Sequence, residues 1–257
     1  VVNMAGITGD GSTGQGTATS ATTGTDTFRN INYVEGSNFA DTITGSTALI
    51  FEQFEGFGGN DRLDGGAITD LINSDNSNRV SYQFAGAGVV VDLAAGTAVS
   101  TNLTAPSNSG SDTLLNFNQV TGSGFNDTLR GSNATSYTEQ FEGGSGNDSI
   151  DGRGGFDIVR YTSASVGVTV DLAAGTAVTA NSGVAGNSGS DTFVNIEGVF
   201  GSSFNDSLVG GGTNGGLNYN DRTLIEVFRG GAGVDTIDGG VGFDRADYAS
   251  STAGVNV

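Results

Sequence analysis

The chain has 257 residues, and its 28 acidic residues against nine basic ones give a formal net charge of −19 at pH 7. Lysine, histidine and cysteine are absent, which excludes zinc-type sites, a histidine general base, a cysteine nucleophile and a lysine Schiff base. The negative charge opposes binding to phosphate backbones, so we expect no nucleic-acid partner. No apolar run approaches the ~20 residues of a membrane span, so none is expected.

Glycine and aspartate dominate the composition, with 45 glycines and with aspartate as 21 of the 28 acids. Glycine every few residues destabilises a helix by about 1 kcal/mol each. A Thr/Ser–Ile/Leu pair follows each turn aspartate and has the alternation typical of short strands. The predicted inward-facing core residues are Ile43, Leu63, Leu129, Ile150, Leu208 and Ile237.

A long internal repeat divides the chain. The segment GVVVDLAAGTAV at 88–99 recurs as GVTVDLAAGTAV at 167–178, and truncated forms stand at both ends. Matching valines at positions 2, 91, 170 and 257 are 89, 79 and 87 residues apart. We therefore expect one continuous solenoid cut from a longer protein, because a rung with one or two apolar side chains needs stacked neighbours. The predicted units are 1–88, 89–167, 168–254, and 255–257 as the start of a further unit.

Each unit presents acidic turns in the same order along the chain. A GTDT or GSDT block comes first, then a GSxF(A/N)D block, and then two nonapeptides in tandem. The acids of these four kinds of block are, in that order, Asp26, Asp112 and Asp191; Asp41, Asp127 and Asp206; Asp61, Asp148 and Asp235; Asp70, Asp157 and Asp244.

The nonapeptides indicate calcium binding. Residues 143–151, GGSGNDSID, match the pattern G-G-x-G-x-D-x-U-x, in which U is a large aliphatic residue. Glycines allow the turn to curl its carbonyl oxygens inward, and the aspartate at position six adds a carboxylate. Calcium prefers six to eight such hard oxygen ligands. Besides the acids, the candidate ligands are the first and third positions of the two best tandems: Gly143, Ser145, Gly152, Gly154, Gly230, Ala232, Gly239 and Val241.

This pattern resembles the RTX family, the haemolysin-type calcium-binding repeats of secreted bacterial proteins. The resemblance implies a parallel β-roll or β-helix solenoid of short strands joined by Gly/Asp-rich turns that bind several Ca²⁺ ions. It also implies pairing across two turns, which puts Asp148 beside Asp127 and Asp61 beside Asp41. Asp70, Asp157 and Asp244 then lie on the opposite row. Asp206 and Asp235 are 29 residues apart and are not expected to be direct neighbours.

The remaining recurrent residues allow either a structural or a calcium-binding interpretation. In the GSxF(A/N)D turns, Phe39, Phe125 and Phe204 either leave room for calcium or plug the core of an ion-free turn. The acids of the GTDT and GSDT blocks are weaker candidates, since aspartate is common in turns. We interpret the VDLAAGTA segments as a capping strand and turn. The recurrent aromatics are interpreted as core or edge covers, and the arginines as relief of acid–acid repulsion at the surface: Phe54, Phe141, Phe228, Tyr82, Tyr161 and Tyr248; Arg130, Arg160 and Arg229.

The sequence favours a non-enzymatic calcium-binding structural region of a secreted or cell-surface bacterial protein, such as a surface layer, fibre or adhesin stalk. It would fold, and assemble with itself or with neighbouring repeats, when calcium binds. The alternative is an accessory or secretion module of an extracellular protease, lipase or polysaccharide-modifying enzyme, exported by type I secretion. A module that binds a surface polysaccharide is the third class.

Overall fold

The computed structural model describes residues 1–7, 14–22, 24–48, 50–68, 77–104, 109–179, 189–211 and 225–256. These residues form strands joined by turns and bends, in two sheets. None of these ranges holds a helix long and apolar enough to span a bilayer. The prediction of an all-β solenoid is confirmed.

The larger sheet, sheet A, contains fifteen strands in the described residues. They are β1 (Val2–Asn3), β2 (Gly16–Ser20), β3 (Gly24–Phe28), β5 (Thr42–Thr44), β7 (Arg62–Asp64), β9 (Val89–Asp92), β10 (Thr97–Ser100), β11 (Ser111–Leu115), β13 (Thr128–Arg130), β15 (Ser149–Asp151), β17 (Val168–Asp171), β18 (Thr176–Thr179), β19 (Ser190–Val194), β21 (Ser207–Val209) and β23 (Thr236–Asp238).

The smaller sheet, sheet B, contains nine strands in the same described ranges, all parallel. They are β4 (Tyr33–Glu35), β6 (Glu52–Glu55), β8 (Asn78–Ser81), β12 (Gln119–Thr121), β14 (Thr138–Glu142), β16 (Phe156–Arg160), β20 (Gly198–Phe200), β22 (Ile225–Arg229) and β24 (Phe243–Ala246). The chain passes repeatedly between the two sheets, so successive turns stack along the solenoid.

Sheet A departs from the expected parallel stack once per unit. Strands β9, β10 and β11 form an antiparallel meander, and β11 then returns parallel to β7. The DLAAGT turn reverses the chain after β9: Asp92 Oδ1 accepts the N–H of Ala95, and Gly96 has a φ of 67° that favours glycine. The VDLAAGTA segment is therefore structural, as predicted, but it lies inside the sheet and does not cap it.

The core lies between the sheets and is filled by one inward side chain per short strand. Ile43, Leu63, Leu129, Ile150 and Leu208 are buried as predicted, and Ile237 packs partly buried against them. Phe54, Phe141 and Phe228 are also buried, and each contributes about 1.5–3 kcal/mol by leaving water. Tyr82 and Tyr161 are buried, whereas Tyr248 is 47% exposed.

The phenylalanines of the GSxF(A/N)D turns do not plug the core. Phe39, Phe125 and Phe204 are 79%, 48% and 46% exposed. Their rings are outside because the core positions of these rungs are already taken by the aliphatic residue four positions later, such as Ile43 after Phe39. The hypothesis that these phenylalanines fill the core is therefore wrong.

Candidate metal centre

One column of acidic residues follows the turn edge of sheet A, each two residues before an inward aliphatic or aromatic side chain. We call this column row A; its members are Asp41, Asp61, Asp112, Asp127, Asp148, Asp191, Asp206 and Asp235. Neighbouring members touch directly. The backbone N–H of Asp127 donates to Asp148 Oδ1 at 2.9 Å, and that of Asp148 donates to Asp191 Oδ1 at 3.0 Å. The turns therefore stack so that each carboxylate binds the turn before it.

The predicted pairing of Asp61 with Asp41 is present as well, since Asp41 N–H donates to Asp61 Oδ1 at 2.8 Å. Asp206 and Asp235 are also direct neighbours, with a 3.0 Å bond from the Asp206 N–H to Asp235 Oδ1. The expectation that Asp206 and Asp235 would not be direct neighbours was wrong, because the additional residues fall between β21 and β22 and leave β21 paired with β23.

The first kind of row A member is satisfied by a serine in its own turn. Asp127 accepts the Ser123 N–H at 2.5 Å and the Ser123 hydroxyl at 2.8 Å, besides the Val89 N–H at 2.6 Å. Ser37 and Ser202 serve Asp41 and Asp206 in the same way. In these GSxF(A/N)D turns the serine donors satisfy the carboxylate, so it does not need a cation.

The second kind is left open. Asp61 and Asp148 are both 2% exposed, and in each the Oδ1 atom accepts the preceding turn while Oδ2 is buried without a hydrogen-bond partner. A buried acceptor without a partner costs about 1–3 kcal/mol, and more when it is charged. These two nonapeptide carboxylates therefore have an oxygen available for a ligand.

The third kind of row A member is the aspartate of a GSDT block, which accepts a hydrogen bond from a tyrosine. Asp112 Oδ2 accepts the Tyr82 hydroxyl at 3.0 Å, and Asp191 Oδ2 accepts the Tyr161 hydroxyl at 3.0 Å. Their Oδ1 atoms accept the N–H groups of Asp61 and Asp148. The GSDT acids are thus buried partners of the recurrent tyrosines, whereas Asp26 in β3 is exposed.

A second column follows the turn edge of sheet B, and most of it was missed in the sequence. This row B also stands two residues before the inward side chains; its members are Glu52, Asn78, Asn118, Glu139, Asp157, Glu197, Glu226 and Asp244. Ser132 N–H donates to Glu139 Oε2 at 2.7 Å, which repeats the Ser123–Asp127 contact. Seven residues separate Ser132 from Glu139, against four in the aspartate turn, so the longer side chain completes the longer turn. The signal was a glutamate two residues before each of Phe54, Phe141 and Phe228.

Asp157 is the member of row B with the most unpartnered oxygen atoms. It is 1% solvent-exposed, and both its carboxylate oxygens lack hydrogen bonds. Its neighbour Glu139, paired with it in register across β14 and β16, has Oε1 buried and unpartnered. In the first unit the equivalent place is taken by Asn78, whose Oδ1 is likewise unpartnered; Asp70 lies outside the described residues.

Turn glycines are required by the space around these carboxylates. A Cβ on Gly143 would lie 2.0 Å from Asp148 Oδ2, and one on Gly122 would lie 2.4 Å from both Asp127 Oδ2 and the Gly143 carbonyl oxygen. The Asp127 carboxylate and the Gly143 carbonyl therefore both lie against Gly122, where only a glycine leaves them room. The same clashes recur at Gly56, Gly152, Gly230 and Gly239.

The residues at the third positions of the middle tandem form backbone hydrogen bonds to the neighbouring turns. Ser145 N–H donates to the Ser123 carbonyl and Gly154 N–H donates to the Ser132 carbonyl, each at 3.2 Å. Ala232 and Val241 are exposed in the last tandem. At the second position, Phe57 and Arg153 adopt φ values of 62° and 65° where a glycine is expected. Arg153 is held there by Asp92, which accepts from Nη1 and Nη2 at 2.8 and 2.5 Å.

Burial sets the electrostatics of both rows. Burial first, and then the charges of Asp191 and Asp127, raises the pKa of Asp148 to about 8. Burial together with Glu139 and Glu197 raises the pKa of Asp157 to about 9. Burial raises the pKa of Asp61 to about 6 and that of Asp191 to about 7. Asp148 and Asp157 therefore retain their protons at pH 7 unless a cation replaces them.

The donor set fits calcium. In the described part of the chain no three acidic side chains come close enough to hold a metal ion by themselves. A site here combines one or two carboxylates with turn carbonyls, which are the hard oxygen ligands that calcium accepts. Apart from Ser109 Oγ, every buried side-chain oxygen that lacks a partner in these ranges belongs to row A or row B.

Comparison with known families agrees with this geometry. The family model of the RTX calcium-binding nonapeptide repeat matches in four copies over residues 53–78, 133–161 and 227–246. These segments contain Asp61, Asp148, Asp157, Asp235 and Asp244. No curated protein matches the chain significantly. These three segments therefore carry the RTX calcium-binding nonapeptide repeat.

Proposed function

We propose that this region is a structural module of a secreted or surface bacterial protein whose solenoid is completed by calcium ions bound between stacked turns. The observation that supports this most is the set of unpartnered buried oxygens on Asp61, Asp148 and Asp157. All three stand at position six of a nonapeptide, and all three belong to segments matched by the family model. A divalent cation there supplies the positive charge that the surrounding turns lack.

The proposed ligands are the open carboxylates together with the carbonyl groups of the first glycines. Asp61, Asp148 and Asp157 are the primary acids, with Gly56, Gly143 and Gly152 beside them. Asp235 and Asp244 take the same roles in the last unit. The serine-satisfied acids Asp41, Asp127 and Asp206 already have protein donors, so their part in calcium binding is secondary.

Net charge links calcium to the location of the protein. A formal charge of −19 favours the expanded chain by self-repulsion when calcium is scarce. Extracellular calcium modules bind at about 10⁻⁴–10⁻³ M, so the ions would be bound outside a cell and absent inside it. Folding after export follows from this difference.

We also propose that the module associates with itself or with neighbouring repeats through its sheet edges. Within the described residues, β3 and β23 border sheet A and β4 and β24 border sheet B, each with one strand neighbour. Backbone groups at such edges can pair with another repeat or another copy. Sedimentation velocity with calcium would then show concentration-dependent oligomers, and monomers at every concentration would count against assembly.

Calcium content tests the binding itself. The protein is dialysed against calcium, its bound metal is counted, and calcium and magnesium are compared by titration calorimetry. We expect bound calcium, weaker magnesium binding, and a loss of at least two ions in the triple variant Asp61→Asn, Asp148→Asn, Asp157→Asn. An unchanged ion count in that variant would assign the metal to other residues.

A further inference from the structure

Two arginines lie close together on the outer face of sheet B, and neither forms a salt bridge within the described residues. Arg79 in β8 donates from Nε and Nη2 to Gln119 Oε1 at 3.2 and 2.9 Å. Arg160 in β16 donates from Nη1 to the same Gln119 oxygen at 3.2 Å. In the described residues neither guanidinium has a carboxylate oxygen within 4.0 Å, although the chain carries 28 acids.

The acceptors around these arginines are neutral where acids would be expected. Four of the five glutamines of the chain lie here: Gln53, Gln83, Gln119 and Gln140. One amide oxygen accepts three N–H groups from two cations, and the buried Nε of Arg160 has no partner. Burial, and then the charge of Arg160, lowers the pKa of Arg79 to about 10. Arg160 therefore hydrogen-bonds neutral acceptors, and burial lowers its pKa, although the charge of Glu142 still raises it.

A cavity of about 410 Å³ opens beside this pair. Its wall carries both arginines and neutral donors and acceptors such as Ser81, Thr121 and Gln83. The acid on the wall, Glu142, accepts the Ser163 N–H at 2.8 Å and the Thr162 hydroxyl at 3.1 Å. The volume falls in the range of small-molecule sites, which start near 300 Å³.

We propose that this cavity binds a carboxylate that carries hydroxyl groups on neighbouring carbons, as in a sugar acid, with Arg79 and Arg160 on the carboxylate. Guanidinium groups bind carboxylates through paired N–H donors. The amide and hydroxyl side chains of the wall both donate and accept hydrogen bonds, as sugar hydroxyls do. The cavity wall also includes Gly122, Ser123, Gly144 and Ser145 of the row A turns, but the two arginines proposed to hold the carboxylate belong to neither row.

The test uses the full chain saturated with calcium and compares glucuronate, glucose and acetate by titration calorimetry or ligand-observed NMR. We expect glucuronate to bind at least tenfold more tightly than glucose, which lacks the carboxylate, and than acetate, which lacks the hydroxyls. Arg160→Gln should weaken glucuronate binding at least tenfold. Arg62→Gln is the matched control, because Arg62 is a half-exposed arginine beside Asp64.

Gln119→Glu keeps the proposal testable if the arginine variant does not fold. This change puts a carboxylate where both guanidinium groups already point, so it should raise the melting temperature and weaken glucuronate at least tenfold. Equal binding of glucuronate to Gln119→Glu and to the parent chain would overturn the proposal. So would no binding to the parent, or equal affinity for acetate and glucuronate.

Discussion

Asp127 donates its backbone N–H to Asp148 Oδ1 at 2.9 Å, although 21 residues separate them. The contact connects a serine-satisfied turn to an open one. It fixes one oxygen of Asp148 and leaves the other buried without a partner. The same relationship joins Asp41 to Asp61. Each open acid is thus oriented by the turn before it, and calcium is expected at the oxygen that remains.

Asp148→Asn should have opposite effects with and without calcium. At pH 9 in chelator, above the Asp148 pKa of about 8, the variant removes an uncompensated buried charge, and we expect it to be more stable by about 1–3 kcal/mol. In calcium it lacks a ligand, and the melting temperature should fall below that of the parent. Calorimetric melting in both buffers measures this.

Asp127→Asn is the control for that experiment. Asp127 is satisfied by Ser123 and Val89, so its loss should destabilise the protein in both buffers. An Asp148→Asn effect of the same sign in chelator and in calcium would contradict the assignment of Asp148 as an open ligand.

Gly143→Ala should abolish the site around Asp148. The new Cβ would lie 2.0 Å from Asp148 Oδ2, which forces the carboxylate out of place. We expect the calcium-induced rise in melting temperature to shrink markedly. Gly124→Ala is the control, because a Cβ at Gly124 meets nothing within 4 Å. If both alanine variants respond to calcium like the parent, the turn geometry does not position the ligand.

Tyr161→Phe removes a hydroxyl that donates to the buried Asp191 at 3.0 Å. A hydrogen bond to a charged group contributes about 1.5–3 kcal/mol, and this loss should be similar in chelator and in calcium. Urea unfolding measures it. Tyr248→Phe, at an exposed tyrosine, should change stability by less than about 0.5 kcal/mol. Equal effects of the two variants would show that the Asp191 contact is not stabilising.

Calcium-free protein should become more stable as the pH falls from about 9 to about 5. Burial raises the pKa of Asp157 to about 9, Asp148 to about 8, and Asp61 to about 6, whereas an unfolded aspartate has a pKa near 3.9. The folded chain therefore holds more protons in this window, and stability is lost as the pH rises through these pKa values. Urea midpoints in chelator test this. Midpoints that rise with pH over that range would contradict the burial of these acids.

Sequence spacing was sufficient to predict the nonapeptide turns and two of the aspartate pairings, but not the pairing of Asp206 with Asp235. The nonapeptide fixes both the turn and the inward residue, so Ile150 and the pairing of Asp148 with Asp127 follow from a local pattern. Row B was hidden because its turns vary in length, and Glu139 completes a longer loop than the nonapeptide does. The meander of β9, β10 and β11 was also missed, since its return to β7 is a pairing between residues about 50 apart.

Partners of side chains were harder to predict than positions. Asp112 and Asp191 looked like ordinary turn acids, yet they are buried on Tyr82 and Tyr161. The exposed Phe125 was a candidate for the core. In both cases the outcome depends on how neighbouring turns stack, which a single turn does not encode.

The proposed function requires that the chain folds when calcium binds, and a calcium titration of the purified chain measures this. Far-UV circular dichroism and thermal melting are recorded from chelator to millimolar free calcium at constant ionic strength. We expect the β-sheet signal to strengthen and the melting temperature to rise through the range of about 10⁻⁴–10⁻³ M free calcium. The same β signal and the same melting temperature in chelator and in calcium would contradict it.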